Sequence, residues 1–135
     1  QETDGTATPM DLGLGWAIAR SKPDFIGKRS LERPDCLRQH RRQLVGLEPL
    51  DGKTHLTEGA QLTSERSPAL PARMLGHITS AYWSGVRGGP IALAMLEGGR
   101  TRHGETVYAH ATGRVTECRV RAPVYYDTEG ERMHG

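Results

Sequence analysis

The sequence predicts a mainly β fold: a small barrel of six strands over residues 43–135, preceded by a strand and short helices within residues 1–42. Three observations point there. Glycine and proline number 17 and 8 among 135 residues and follow no period, which divides the chain into short elements joined by turns. From residue 43 onward, short stretches of alternating apolar and polar residues recur between Gly and Pro. The hydrophobic fraction is 36 % and the mean hydropathy −0.58, which suits one domain with a modest core.

Each element has its own local reason. Residues 12–18 are apolar but broken by Gly13 and Gly15, which weakens a helix and suits a strand with close neighbours. Ser21-Lys22-Pro23-Asp24 reads as a helix start capped by Asp24, with Phe25, Ile26 and Leu31 on one side and Pro34 as the stop. A second short helix is expected from Asp35 to residue 42, completing a linker. Strands are then expected at 43–48, 60–64, 74–83, 90–97, 105–110 and 114–122. In the third, Leu75, His77, Thr79, Ala81 and Trp83 fall on one side and Met74, Gly76, Ile78, Ser80 and Tyr82 on the other. The expected core is Leu44, Leu47, Ile78, Leu93, Met95, Val107 and Val120. Short strands with Gly and Pro turns fit a small closed barrel.

Composition also limits function. The net charge is +2, yet residues 20–42 hold eight Lys or Arg against three acids. That basic stretch suits an anionic ligand, an acidic partner or a solvated connector. Phe25 is its one aromatic, so it lacks the stacking platforms of a single-strand binder, and no nucleic-acid partner is expected. No apolar run approaches the roughly 18 residues of a membrane span, and no signal peptide is visible. Cys36 and Cys118 form no disulfide framework, which fits a reducing, cytoplasmic setting. The chain opens on Gln1, which reads as a piece of a longer protein or a processed product.

No self-sufficient active site emerges. The six histidines are scattered, and Cys36-x-x-x-His40 supplies two ligands where zinc needs three or four; no metal is expected. Gly13-x-Gly15 is followed by Ile18 where a dinucleotide fingerprint needs glycine, and no phosphate-binding loop is present. Ser84 lies in Trp-Ser-Gly, but Tyr82 and Val86 occupy the glycine positions of a nucleophile elbow. No catalytic residue is assigned.

A run of motifs nevertheless carries a resemblance. Asp4-Gly5-Thr6-Ala7-Thr8-Pro9, Asp11-Leu12-Gly13-Leu14-Gly15-Trp16 and Asp24-Phe25-Ile26-Gly27-Lys28-Arg29-Ser30-Leu31 come first. They resemble the end of the folate-binding region in the aminomethyltransferase (glycine-cleavage T-protein) family. Arg42-Gln43-Leu44-Val45-Gly46-Leu47, Gly76-His77-Ile78-Thr79-Ser80, Ile91-Ala92-Leu93-Ala94-Met95 and Ala122-Pro123-Val124-Tyr125-Tyr126-Asp127 resemble that family's C-terminal barrel, in order. The opening, the Lys-Pro-Asp-Phe-Ile-Gly-Lys-Arg-Ser-Leu stretch and the Val-Tyr-Tyr-Asp ending are most similar to the α-subunit branch of heterotetrameric sarcosine oxidases.

The resemblance implies a parent enzyme that oxidatively demethylates sarcosine at a flavin and passes the one-carbon unit to tetrahydrofolate. It implies FAD, FMN and NAD on other regions and subunits, with the other oxidase subunits as partners. Residues 1–42 would be the tail of the folate domain with a helical linker, and residues 43–135 the C-terminal barrel. The catalytic acid would lie outside this chain, and the isolated chain would be inactive. Trp16 matches the position from which some relatives place a side chain against folate, and it is the candidate cofactor-binding residue; a core position is the alternative. Tyr125 and Tyr126 match the closing strand, with barrel-edge packing as the alternative. Arg100, Arg102 and His103 are candidate partners of a folate glutamate tail, or a solvated hairpin loop. Two other functions remain open: an aminomethyltransferase-like or dimethylglycine-oxidising fragment, and a non-catalytic barrel that docks subunits.

Overall fold

The computed structural model describes residues 2–125 together with Glu129 and Glu131. Six antiparallel strands close on themselves: β1 (Arg42–Pro49), β2 (Gln61–Thr63), β3 (Gly76–Ser84), β4 (Gly89–Glu97), β5 (Thr106–Ala111) and β6 (Arg114–Arg121). Their order around the barrel is β1-β4-β3-β2-β5-β6, and β6 returns to β1 through Gly46↔Arg121 to Pro49↔Cys118. Every strand expected from the alternation is present, with ends displaced by at most two residues.

A barrel of this size is filled by its own side chains. The fit comes from pairing large with small. Val45 on β1 sits opposite Ala94 on β4, and Leu47 opposite Ala92. Ile78 on β3 also faces Ala94, and Leu62 on β2 faces Ala109 on β5. All seven belong to one buried cluster, which Leu96, Val107, Cys118 and Val120 complete and Leu56, Ala60 and Leu75 join. Burial pushes the Cys118 thiol up to about 12, so it is a packing group rather than a nucleophile at neutral pH.

Five of the expected core residues are buried: Leu47, Ile78, Met95, Val107 and Val120. Leu44 and Leu93 are corrections. The inward positions are Val45 and Leu47 on β1, and Ala92, Ala94 and Leu96 on β4. Period-two alternation therefore turns Leu44 and Leu93 to the outer face, where both are half-buried. Met95 shares that outer face and stays outside the core cluster; it is buried because residues near the N-terminus lie over it.

The predicted alternation of β3 also fails beyond Ile78. Ile78 pairs with Ala94 but Ser80 with Leu93, so Thr79 is an extra, bulged residue. Its hydroxyl donates to the Leu93 carbonyl at 3.1 Å inside the sheet. The bulge reverses the phase, and Ala81 packs against the core on the same side as Ile78.

The N-terminal expectations need larger correction. Residues 12–18 form no strand; they form turns ending in one 3₁₀ turn, Gly15–Ala17. Gly13 takes φ +74°, and a Cβ on Gly15 would meet Met10 Sδ at 2.8 Å, so the glycines serve a tight turn. The two predicted helices reduce to a single turn, α1 (Lys28–Leu31), begun by Gly27 in the left-handed region. The Asp24 carboxylate accepts the N–H of the adjacent Phe25, at 3.0 Å, and α1 begins after Gly27 with no side-chain cap. Residues 34–41 are turns.

Tyr125 seals the outside of β1. Its hydroxyl lies 2.7 Å from the Leu47 carbonyl and 2.6 Å from that of Ala92. The Arg121 guanidinium lies 4.4 Å and that of Arg87 5.7 Å from the ring centre, and both pair with Glu48. Burial pushes the phenol up to about 12, which keeps the donor protonated. A Cβ on Gly46 would stand 2.6 Å from the Ala122 carbonyl and 2.7 Å from the Tyr125 hydroxyl. Gly46→Ala should therefore displace the ring and lower stability by about 1–3 kcal/mol, read from urea unfolding; an unchanged midpoint would contradict this packing.

Candidate functional site

Residues 2–41 lie outside the barrel strands; their main fastening is at Asp11, and Glu2 adds a second contact to Ser80 on β3. The sequence Thr8-Pro9-Met10-Asp11 makes a reciprocal turn. The Thr8 N–H and hydroxyl donate to Asp11 Oδ2 at 2.8 and 2.9 Å, and the Asp11 N–H donates to Thr8 Oγ1 at 3.3 Å. The Asp11 carbonyl accepts the N–H of Leu44 at 2.8 Å, tying the turn to β1.

Arg41, immediately before β1, completes the fastening. Its Nε donates to both Asp11 oxygens, at 3.2 and 3.1 Å, and Nη2 to Oδ2 at 2.8 Å. Nη2 also donates to the Thr6 carbonyl at 2.6 Å, and Nη1 to Asp35 at 2.9 Å. Asp11 is only 3 % exposed. Burial alone would push its carboxyl up, but the hydrogen bonds from Arg41 and Thr8 outweigh this and hold it below its usual value. The same bonds raise Arg41.

A gap of about 210 Å³ separates this segment from the outer face of the sheet, lined by Glu2, Asp4, Asp11, Arg41, His77 and Met95. The Ser80 hydroxyl, at 2.5 Å, and Thr79 hold the Glu2 carboxyl down to about 2. The gap is smaller than the roughly 300 Å³ at which small-molecule pockets begin, and it is rich in carboxylates. It does not suit a ligand as large and anionic as a folate.

Trp16 lies elsewhere, in the 3₁₀ turn that follows the Asp11 fastening. It is 83 % exposed. Leu14, Ile26 and Leu37 are exposed as well. Two open apolar grooves of about 480 and 430 Å³ share Ile18, Phe25 and Leu31. The grooves are open, and the Trp16 indole lines neither of them. Arg102 is not gathered to Trp16: its Nε donates to the Glu97 carbonyl at 2.7 Å and Nη1 to Glu105 at 3.2 Å. Arg100 and His103 flank it in the exposed turn before β5. Tyr125 serves the barrel edge as described; Tyr126 and His134 lie outside the described residues. Among the described residues no three His, Cys, Asp or Glu gather as a metal site, and no helix is long and apolar enough to cross a membrane.

Sequence reasoning missed the Asp11–Arg41 pair. The three-residue spacing of Thr8 and Asp11 was a usable signal, but nothing local links Asp11 to a cation 30 positions away.

The fold has known counterparts. A family model, the glycine cleavage T-protein C-terminal barrel domain, matches residues 42–127. The chain belongs to this barrel family. Similarity to individual proteins extends past the barrel. Sarcosine oxidase subunit alpha of Corynebacterium sp. (strain U-96) is 39 % identical over all of this chain, which spans 14 % of that protein. The subunit alpha of Rhizobium meliloti (strain 1021) is 38 % identical over 98 % of the chain, again 14 % of its own length. An aminomethyltransferase of Nostoc sp. is 30 % identical over 84 % of the chain and 28 % of that protein. The solved aminomethyltransferase T of the Bartonella henselae glycine cleavage system superposes with a TM-score of 0.68 at 24 % identity, over 87 % of this chain and 32 % of that one. The last likeness establishes the shared barrel fold.

The fastening has a pH dependence with a definite sign. Asp11 and Glu2 both have folded-state values below their usual 3.8 and 4.5. Their contribution is complete above those usual values and is lost as pH falls through the lower, folded ones. Amide exchange in residues 2–11 should therefore accelerate, beyond the intrinsic pH effect, as pH falls from about 4.5 toward 2, before the barrel strands open. Simultaneous loss of protection in both regions would refute a separable clamp.

Proposed function

We propose that this chain is the C-terminal, tetrahydrofolate-binding region of a sarcosine oxidase α subunit. The parent would oxidatively demethylate sarcosine and pass the one-carbon unit to tetrahydrofolate. One observation carries the reading: the matches to two such subunits, at 38–39 % identity overall, cover 98–100 % of the chain and so extend beyond the barrel into residues 1–41. In this reading residues 1–42 end the folate domain and residues 43–135 are a supporting barrel.

The residues fit tetrahydrofolate as one wall of a site. The exposed Trp16 offers a flat face for a pterin or aminobenzoyl ring, and the rest of the cavity belongs to the parent outside this chain. Tetrahydrofolate, when bound, supplies the acceptor nitrogen for the one-carbon unit. This chain supplies stacking and position and no proton-transfer group. FAD, FMN and NAD have no binding motif here and belong, in this proposal, to other regions and subunits of a cytoplasmic assembly. The similarity to aminomethyltransferases supports the related alternative of transfer from another methylated amine, such as dimethylglycine. The exposed Trp16, Ile26 and Leu37 also favour a subunit-docking role as the second reading.

In the complete enzyme, Trp16→Ala should weaken tetrahydrofolate binding about fivefold, a loss of roughly 1 kcal/mol of stacking. Flavin reduction by sarcosine should stay near the parent rate. Unchanged folate affinity with weakened subunit assembly would replace this reading with the docking one. The 135-residue chain alone should produce no peroxide from sarcosine; peroxide production would contradict the division of labour.

A further inference from the structure

We infer that Arg41 is the positioning residue for the Trp16 turn, acting through the Asp11 carboxylate without touching a ligand. The inference deepens the folate reading of Trp16 and rests on it for its ligand.

The 3₁₀ turn Gly15–Ala17 contains no buried residue. One apolar contact reaches it, from Met10 of the Thr8–Asp11 turn, whose Sδ would stand 2.8 Å from a Cβ on Gly15. Its position is passed on from Thr8–Asp11 by consecutive backbone bonds: Leu12 N–H to Thr8 at 3.3 Å, Gly13 N–H to Met10 at 3.2 Å and Leu14 N–H to Pro9 at 2.8 Å. Ala17 N–H then donates to Leu14 at 2.9 Å. Thr8 and Asp11 are the residues that the Arg41 fastening holds. Among the described residues, Asp11 is the one ionisable carboxyl or base that is buried, and Arg41 is itself only 17 % exposed.

The guanidinium shape matters as much as its charge. Arg41 reaches Asp11, Asp35 and the Thr6 carbonyl at once, from three nitrogens. A lysine ammonium keeps the charge but cannot span three acceptors in a planar fork. Arg41→Lys should therefore free the Trp16 turn while leaving the barrel closed.

Two arms test this. In the 135-residue chain, Trp83→Phe leaves Trp16 as the sole indole, since the sequence holds two tryptophans. In that background Arg41→Lys should lower the fluorescence anisotropy of Trp16, with the far-ultraviolet circular dichroism unchanged. Unchanged anisotropy overturns the inference. Should Arg41→Lys fail to fold, Asp11→Asn, which keeps the shape and removes the charge, gives the same readout.

The second arm uses the complete enzyme and tetrahydrofolate titration. Arg41→Lys should raise the Kd about as much as Trp16→Ala, roughly fivefold, and leave flavin reduction by sarcosine unaltered. Arg41→Lys combined with Trp16→Ala should be no weaker than Trp16→Ala alone, because one residue acts through the other. Additive losses would show that Arg41 works by another route and overturn the inference. If anisotropy falls but neither single substitution alters folate affinity, the positioning stands and the folate reading of Trp16 falls.

Discussion

A carboxylate removed from water needs a fixed cation, and the arrangement of residues 2–41 follows from how Asp11 meets that need. Arg41 answers it from the residue before β1, so the charge pair and the first barrel strand share one piece of backbone. Leu44 donates to Asp11 three residues further on. The N-terminal segment is thus referenced to β1 through side chain and backbone together. Its seating covers Met95, an apolar residue on the wrong side of β4 for the core. Removing either partner would leave the other charge poorly hydrated, and such losses are large for buried pairs.

The barrel and the candidate site divide their labour accordingly. The interior is occupied by its own buried side chains. The outer surface is sealed at one edge by Tyr125 and overlaid at another by residues 2–11. Among the large apolar side chains left exposed, Trp16, Ile26 and Leu37 lie on the turns of the N-terminal segment. A surface of this kind is suited to completion by other protein, which is why the proposed ligand site is a shared one.

The strands were legible because their determinants are local. Val107 and Ala109 alternate with Thr106, Tyr108 and His110, and a turn at Gly113 ends the run; period two and a turn residue suffice. The N-terminal segment was not legible for the opposite reason. Asp24 looked like a helix cap, but Gly27 in the left-handed region starts the short α-helix there. The apolar run at residues 12–18 looked like a strand, but its backbone bonds go back to Thr8, Pro9 and Met10, not to a neighbour. The Thr79 bulge was hidden because an inserted residue leaves composition unchanged and only shifts phase, which is why Ala81 was placed on the wrong face. Trp16 was singled out by motif resemblance; its exposure is a fact that pattern alone does not supply.

The large-against-small pairing inside the barrel has a consequence for how such sequences drift. Ala94 serves two neighbours at once, Val45 on one strand and Ile78 on another. An added methylene at Ala94 would intrude on both, and a lost one at Val45 or Ile78 would open a void that Ala94 cannot fill without crowding the other. Inward positions on three strands therefore share a single allowance of volume. Over descent they should change as a linked set, while the outward residues between them vary one at a time.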